Sequence, residues 1–338
     1  MRYYCGIDLH STNSVVVVID DEDRVLFRQR LANDLNAILG ALSPFAAELV
    51  GVVVESTYNW YWLVDDLMAA GFELHLANPA AIIQYSGLKH RDDDDDAAWL
   101  GHLLRLGLLA EGYIYPREER GTRDLLRRRG QLVRQNTANL LSIQNQVTRA
   151  TGLRISGNRV KQLQPDEVAA LGMGADAALG IGANLAVMAS LKAQIQGLER
   201  TVLGRLVADD MYRMLLTVGG IGKILGLTIR LETGDPERFA SAGNYASYCR
   251  CVTSQRVSNG RNKGQGNRRN GNAHLAWAFV EAAHMAIRFD EGAKRFYQRK
   301  KAKTKMVVAR KAVAHKLARA CWHVMRDRVP FESKRCFG

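Results

Sequence analysis

The chain has 338 residues, 47% of them hydrophobic, enough for about two domains with buried cores. Its five cysteines are few and odd in number, which excludes a disulfide scaffold and fits no zinc-finger spacing. Lys and Arg number 47 against 34 Asp and Glu, giving a formal charge of +13; with no continuous run of about 18 apolar residues and no signal-like start, a cytoplasmic protein without a membrane span is expected. The opening 31 residues read as three strands, Tyr3–Asp8, Val15–Ile19 and Val25–Leu31, broken by an Asp-rich turn and forming a meander. Leu35–Ala47 has helical spacing interrupted at Ser43-Pro44, and Val50–Val54 is a continuous apolar strand of the kind buried on both faces. A helix over Tyr61–Ala70, a strand over Glu73–Ala77 and a helix over Asp93–Leu109 complete an α/β order with a mixed sheet. Leu126, Val133, Leu140 and Val147 then recur every seven residues, and Leu191, Ile195, Leu198 and Val202 repeat the pattern. Two long helices joined by a Gly-rich middle predict an antiparallel helical arm or coiled coil, with Asn136 near its seam, an ordinary helical bundle being the equal alternative. Beyond Met211 come a Gly-rich turn, a helix over Ile224–Leu231, a Gly- and Asn-rich basic stretch over Ser254–Asn272, a helix over Ala273–Phe289 and one basic helix from Lys294 to about Arg326. The expected boundaries are 1–118, 119–208 and 209–338.

The charge is segregated along this order. Residues 1–100 hold 6 basic and 16 acidic side chains, whereas 250–338 hold 22 and 5. An acidic front and a basic rear predict a polyanion, most simply nucleic acid, as partner of the rear. In the front, Asp8 ends the first strand and Glu55 directly follows the buried strand Val50–Val54, both at positions where α/β sheets place ligands. The run Asp92–Asp96 precedes an amphipathic helix, on which Asp93 and Asp96 share a face one turn apart. A solvated surface run is the plainer reading of five adjacent acids. Taken together, Asp8, Glu55, Asp93 and Asp96 are four hard oxygen donors of the type that Mg²⁺ prefers, able to serve a phosphodiester. An acid on strand one, another after the fourth strand and more on a later helix describe a ribonuclease-H or RuvC type of nuclease.

Gly6-Ile7-Asp8-Leu9-His10, Val54-Glu55-Ser56-Thr57-Tyr58-Asn59-Trp60, Asp93–Asp96 with Ala97, and Leu103–Leu109 make the front resemble the DEDD transposases of bacterial insertion sequences, relatives of the Piv DNA invertase. In the rear, Leu216–Gly222 resembles a helix-hairpin-helix turn in which Gly220, Gly222 and Lys223 meet a phosphate. Ser258 through Gly271-Asn272 resembles the family's second domain, although Asn259 separates the serine from Gly260. The resemblance implies a RuvC-like domain, a coiled-coil arm and a mostly helical basic domain. It implies Mg²⁺-dependent DNA strand cleavage and exchange with Ser258 as nucleophile, Ser254 being the rival. Arg250, Arg256, Arg261, Lys263, Arg268 and Arg269 would contact phosphates of donor and target DNA. A bridge RNA as guide, and homodimers pairing into a homotetramer, follow from the same resemblance. The alternatives are a RuvC-like nuclease whose nucleophile is water, and a binding protein on a degenerate nuclease fold. His10, His102 and His274 are read as structural, and Cys249 and Cys251 as strand residues that share no metal.

Overall fold

A computed structural model of the chain describes residues 1–82, 93–252, 257–264 and 270–338, leaving aside the side chains of 93, 94, 165, 257 and 262. The chain divides into two compact units, Met1–Arg117 and Glu118–Gly338.

The first unit is built on β1 (Tyr3–Leu9), β2 (Asn13–Ile19), β3 (Val25–Ala32), β4 (Leu49–Glu55) and β5 (Leu74–Ala77), in the order β3-β2-β1-β4-β5. The first three strands are antiparallel, and β4 and β5 run parallel to β1, the mixed sheet that the element order predicts. Helices α1 (Leu35–Leu42) and α2 (Tyr61–Ala69) join one face of the sheet, where Ile38, Leu42, Leu63, Val64 and Leu67 pack on Ile7, Leu9, Val52 and Val54. Helix α3 (Asp93–Arg105) covers the other face, with Ala97 packed beside Tyr4, Val15, Val17 and Ile19, and Leu100 and Leu103 beside Val53. This burial on two faces explains why β1, β2 and β4 read as continuous apolar runs rather than alternating ones. The architecture is consistent with an α/β nuclease-like fold.

The second unit opens with α4 (Arg117–Thr151), whose first residue closes the first unit. The short helices α5 (Gly157–Gln162) and α6 (Pro165–Ala169) lead to α7 (Ala175–Leu206). Arg205 donates to Thr122 at 3.0 Å, Arg129 pairs with Glu199 at 2.7 Å, and Asn184 reaches Ser142 at 3.5 Å, so the two long helices run antiparallel. Their far end is plugged by Ile143, Val147, Val160, Leu163, Val168 and Ile181, which lets α5 and α6 form inside the stretch read from sequence only as Gly-rich. Asn136 leaves a buried side-chain oxygen without a hydrogen bond. Helix α7 contains a window of mean hydropathy 1.3 that is long and apolar enough by composition to cross a membrane, although only 11% of it is buried. The sequence hides this because Asn184, Ser190 and Lys192 interrupt every continuous run.

The remainder is helical: α8 (Asp210–Leu215), α9 (Lys223–Thr233), α10 (Ala242–Tyr248), α11 (Ala273–Phe289), α12 (Glu291–Lys301), α13 (Met306–Asp327) and α14 (Ser333–Phe337). A two-stranded hairpin, β6 (Val257–Ser258) with β7 (Arg261–Asn262), interrupts the series. Two expectations are corrected. The single basic helix is two, because Lys305 takes an extended conformation (φ −64°, ψ 146°) and restarts the chain as the cap of α13. Cys249 and Cys251 lie not on a strand but at the end of α10, both buried, where the Cys251 N–H donates to the Ala246 carbonyl.

Candidate active site

The period-2 geometry of a strand decides which side chains can meet. In β1, Cys5, Ile7 and Leu9 face α1 and α2, so Gly6 and Asp8 face α3; in β4, Val52 and Val54 face α1 and α2, so Val53 and Glu55 face α3. Because β1 and β4 are parallel neighbours with Ile7 opposite Val54, Asp8 and Glu55 stand side by side at the ends of their strands.

Helix α3 can lie close over this point only because of a glycine. A Cβ on Gly6 would sit 1.9 Å from the carbonyl oxygen of Ala97 and 2.9 Å from the amide nitrogen of Gly101. That crossing holds the start of α3 beside the strand ends, with Asp96 immediately before the contact residue and Asp93 one turn earlier. Asp8 is 7% exposed. Glu55 is held above the usual carboxylate range, first by burial and then by the negative charges of Asp8 and Asp96, with His10 opposing. Three of the four expected acids are therefore brought within electrostatic range of one another.

This donor set fits a hard divalent cation in its chemistry: all oxygen, partly desolvated, and mutually repelling until a positive charge joins them. Among the described residues no group of three or more His, Cys, Asp or Glu is arranged to ligate one ion. The repulsion felt at Glu55 reaches further than a coordination bond, so the two observations concern different distances.

Sequence reasoning set His10 aside, yet its Nε2 lies 3.1 Å from an Asp8 carboxylate oxygen. The backbone carbonyl of His10 accepts from both Asn33 Nδ2 at 3.0 Å and Asn59 Nδ2 at 2.9 Å. Asn59 is fixed in turn by Thr57, whose hydroxyl donates to it at 2.9 Å. The segment after Glu55 thus props the segment after Asp8, a long-range connection that no local pattern discloses. His102 does prove structural, pairing at 2.9 Å with Asp23, which Arg105 also holds.

In the second unit Ser258 is exposed at the end of β6, directly opposite Arg261 in the hairpin. Between them Asn259 (φ 49°) and Gly260 (φ 68°) both take the left-handed conformation, the signature of a type I′ turn. The residue that separates the serine from its glycine is thus half of the turn that presents it. Cross-strand partners in such a hairpin project from the same side, so Arg261 accompanies Ser258. Lys263 is exposed nearby in sequence. Arg256, Arg268, Arg269 and the rival Ser254 lie outside the described residues.

Arg250 bonds inward: its Nη2 donates at 2.8 Å to the Gly271 carbonyl and its Nε at 3.0 Å to that of Asn270. Gly220 (φ +99°) is pressed against α11, where a Cβ would meet the Ala286 amide nitrogen at 2.5 Å, so helix packing alone requires a glycine there. Gly222 is the exposed cap residue of α9 and supplies no side-chain bond to the first amides of the helix, beside the exposed Lys223.

Two comparisons with protein families succeed. Residues 5–151 match the DEDD transposase family of IS110 type, described as Transposase, and residues 212–298 match the Transposase IS116/IS110/IS902 family. No curated protein matches the chain.

Proposed function

The chain belongs to the IS110-type family of DEDD transposases, and from that premise we propose a RuvC-like recombinase in which Asp8, Glu55, Asp93 and Asp96 hold Mg²⁺ and Ser258 attacks DNA. It is an insertion-sequence transposase, an enzyme that cleaves and recombines DNA. The observation that carries the metal assignment is the mutual charge pressure on Glu55 from Asp8 and Asp96 at adjacent strand ends. Bound there, the cation supplies Lewis-acid polarisation of a phosphate oxygen.

The residues do the rest. Ser258 Oγ forms a bond to phosphorus while the bond from phosphorus to the departing sugar oxygen breaks. The serine proton passes to solvent and the departing oxygen takes one up. Attack by the hydroxyl of the new strand reverses these steps, releasing Ser258 and joining the exchanged strand. Arg261, on the serine's side of the hairpin, binds a non-bridging oxygen of that phosphate. Lys263, with Arg256, Arg268 and Arg269, tracks the flanking backbone, and the amides of Gly222 and Lys223 at the start of α9 donate to a further phosphate. A bridge RNA selects donor and target, consistent with a strongly basic rear whose sequence shows no obvious homeodomain or zinc-finger motif. The arm, as a coiled coil, joins two copies, and two dimers make the tetramer that recombines two duplexes.

The test is strand cleavage and exchange on element-end and target DNA, with Mg²⁺ and the element's own flanking RNA. Asp8→Asn, Glu55→Gln and Ser258→Ala are each expected to abolish product while preserving DNA binding. Cleavage by Ser258→Ala at the parent rate assigns the attack to water instead, and unchanged rates in both carboxylate variants overturn the metal site.

A further inference from the structure

The hairpin that carries Ser258 leaves and re-enters the helical body through a neck, residues 248–250 on one side and 270–272 on the other. Its closure is heavily specified. The Asn272 N–H donates to the Tyr248 carbonyl at 2.7 Å. Gly271 (φ +84°) passes so near that a Cβ would stand 2.4 Å from that same carbonyl oxygen. Arg250, itself at φ 53°, clasps the carbonyls of Asn270 and Gly271.

Asn272 does more than close the neck. Its Oδ1 accepts from the His274 and Leu275 amides at 2.8 and 3.1 Å, capping α11. Its Nδ2 donates at 2.7 Å to Glu232 Oε2 on α9. Glu232 is 4% exposed, and Arg127 of α4 meets it with a two-toothed grip, Nε to Oε1 and Nη2 to Oε2, both 2.7 Å. Three elements distant in sequence therefore meet at one carboxylate: the root of the arm, α9 and the neck.

Helix capping accounts for only half of this arrangement, since Ser or Asp caps as well as Asn and neither can donate to Glu232 through a side-chain amide. Stability accounts for it poorly too, because a buried ion pair is often no better than apolar packing of equal volume. What the arrangement supplies is direction: planar, two-toothed pairing fixes orientation as well as distance.

We propose that Arg127, Glu232 and Asn272 form a positioning chain that sets the Ser258 hairpin from the root of the arm. This inference rests on the serine reading above. These are positioning residues; none of them touches the phosphate. Coupling to the arm would make attack by Ser258 conditional on how the arm is engaged.

Asn272→Ser isolates the link, since serine retains the cap but cannot reach Glu232. The expected result is strand exchange reduced on the order of 100-fold, the cost of displacing a reacting group by about 1 Å, with DNA and RNA affinity unchanged and only a small fall in melting temperature for the bond lost at Glu232. Asn272→Asp also retains the cap but sets a carboxylate against the Glu232 Oε2 that Asn272 Nδ2 meets at 2.7 Å, and is expected to lose at least as much rate. In both variants the loss falls on the exchange rate at saturating DNA and RNA rather than on affinity, a split that a purely architectural role does not predict. Full activity in Asn272→Ser beside an inactive Ser258→Ala overturns the positioning chain alone, as does a loss that appears only as weaker affinity. Parent-rate cleavage by Ser258→Ala overturns the serine reading and this inference with it.

Discussion

At residue scale, the site depends on one missing methyl group. The Gly6-Ile7-Asp8 segment was legible as the end of a strand offering a carboxylate, but the sequence gives no reason for the glycine. Its reason is α3, some ninety residues later, whose Ala97 carbonyl occupies the space of a Cβ. Gly6→Ala is expected to destabilise the first unit by about 1–3 kcal/mol through overpacking and to lift α3 from Asp8. Gly101 provides the control: a Cβ there has its nearest neighbours at 3.5 Å, ordinary contact. Since alanine favours a helix over glycine, Gly101→Ala should match or exceed parent stability, by up to about 1 kcal/mol. Thermal melting of both variants checks the contrast, and equal losses would refute it. The thiols offer a second check. Burial pushes Cys251 up to about 12 and Cys336 up to about 11. Native protein should therefore resist alkylation at neutral pH and label at all five cysteines once unfolded.

At element scale, local pattern served where one helix or strand buries one face, and failed where distant residues decide. Strands β1 to β4, α2 and α11 follow from apolar period and turn residues. The α12–α13 break has no local signal, since Lys300–Lys305 reads as uninterrupted basic helix and the extended Lys305 has no sequence marker. The Asn259-Gly260 pair is a hairpin signal, since both residues tolerate positive φ, but it lies within a glycine-rich, basic stretch whose pattern equally suits phosphate binding. The conformation sets a test: Asn259→Gly should be tolerated, whereas Gly260→Val forces a β-branched side chain into the left-handed region and should remove strand exchange with little change in melting temperature. Glu232 belongs to this scale as well. Burial raises its pKa, but the bonds and charge of Arg127 and the bond from Asn272 outweigh it and leave the carboxyl below its ordinary value. A depressed folded pKa stabilises the fold above the ordinary carboxylate range, and that contribution fades as pH falls through the lowered value. At neutral pH Glu232→Gln should cost about 2 kcal/mol, less than a fully buried pair because the Arg127 side chain is 37% exposed. The gap between variant and parent in urea midpoints should close as pH drops below about 4.5, the ordinary glutamate value; a gap that widens on acidification contradicts the assignment.

At the scale of the molecule, the charge split was visible in composition alone and coincides broadly with the two units, the acidic one carrying the carboxylates and the basic one the serine hairpin. Invisible in composition was how poorly the arm satisfies itself. Leu126, Ile143 and Val147 are buried at its two ends, but Leu141, Leu179 and Val187 are 51%, 76% and 48% exposed. Helix α7 has the hydropathy of a core helix with the burial of a surface helix. A pair of helices can bury only one stripe on each, so an apolar surplus of this size calls for further helices against it. A second copy of the arm meets that need with matching chemistry. It would also place Asn136, whose oxygen is buried and unbonded here, near a seam where one polar residue can select register. The expected outcome is a dimer of the intact chain in sedimentation or light scattering, without nucleic acid. Leu179→Glu combined with Val187→Glu places charge on the exposed stripe and should shift the chain to monomer while leaving far-UV helicity and the melting of each unit unchanged. A double variant that remains dimeric at parent concentration removes the arm as the interface and leaves the apolar surface of α7 to another partner.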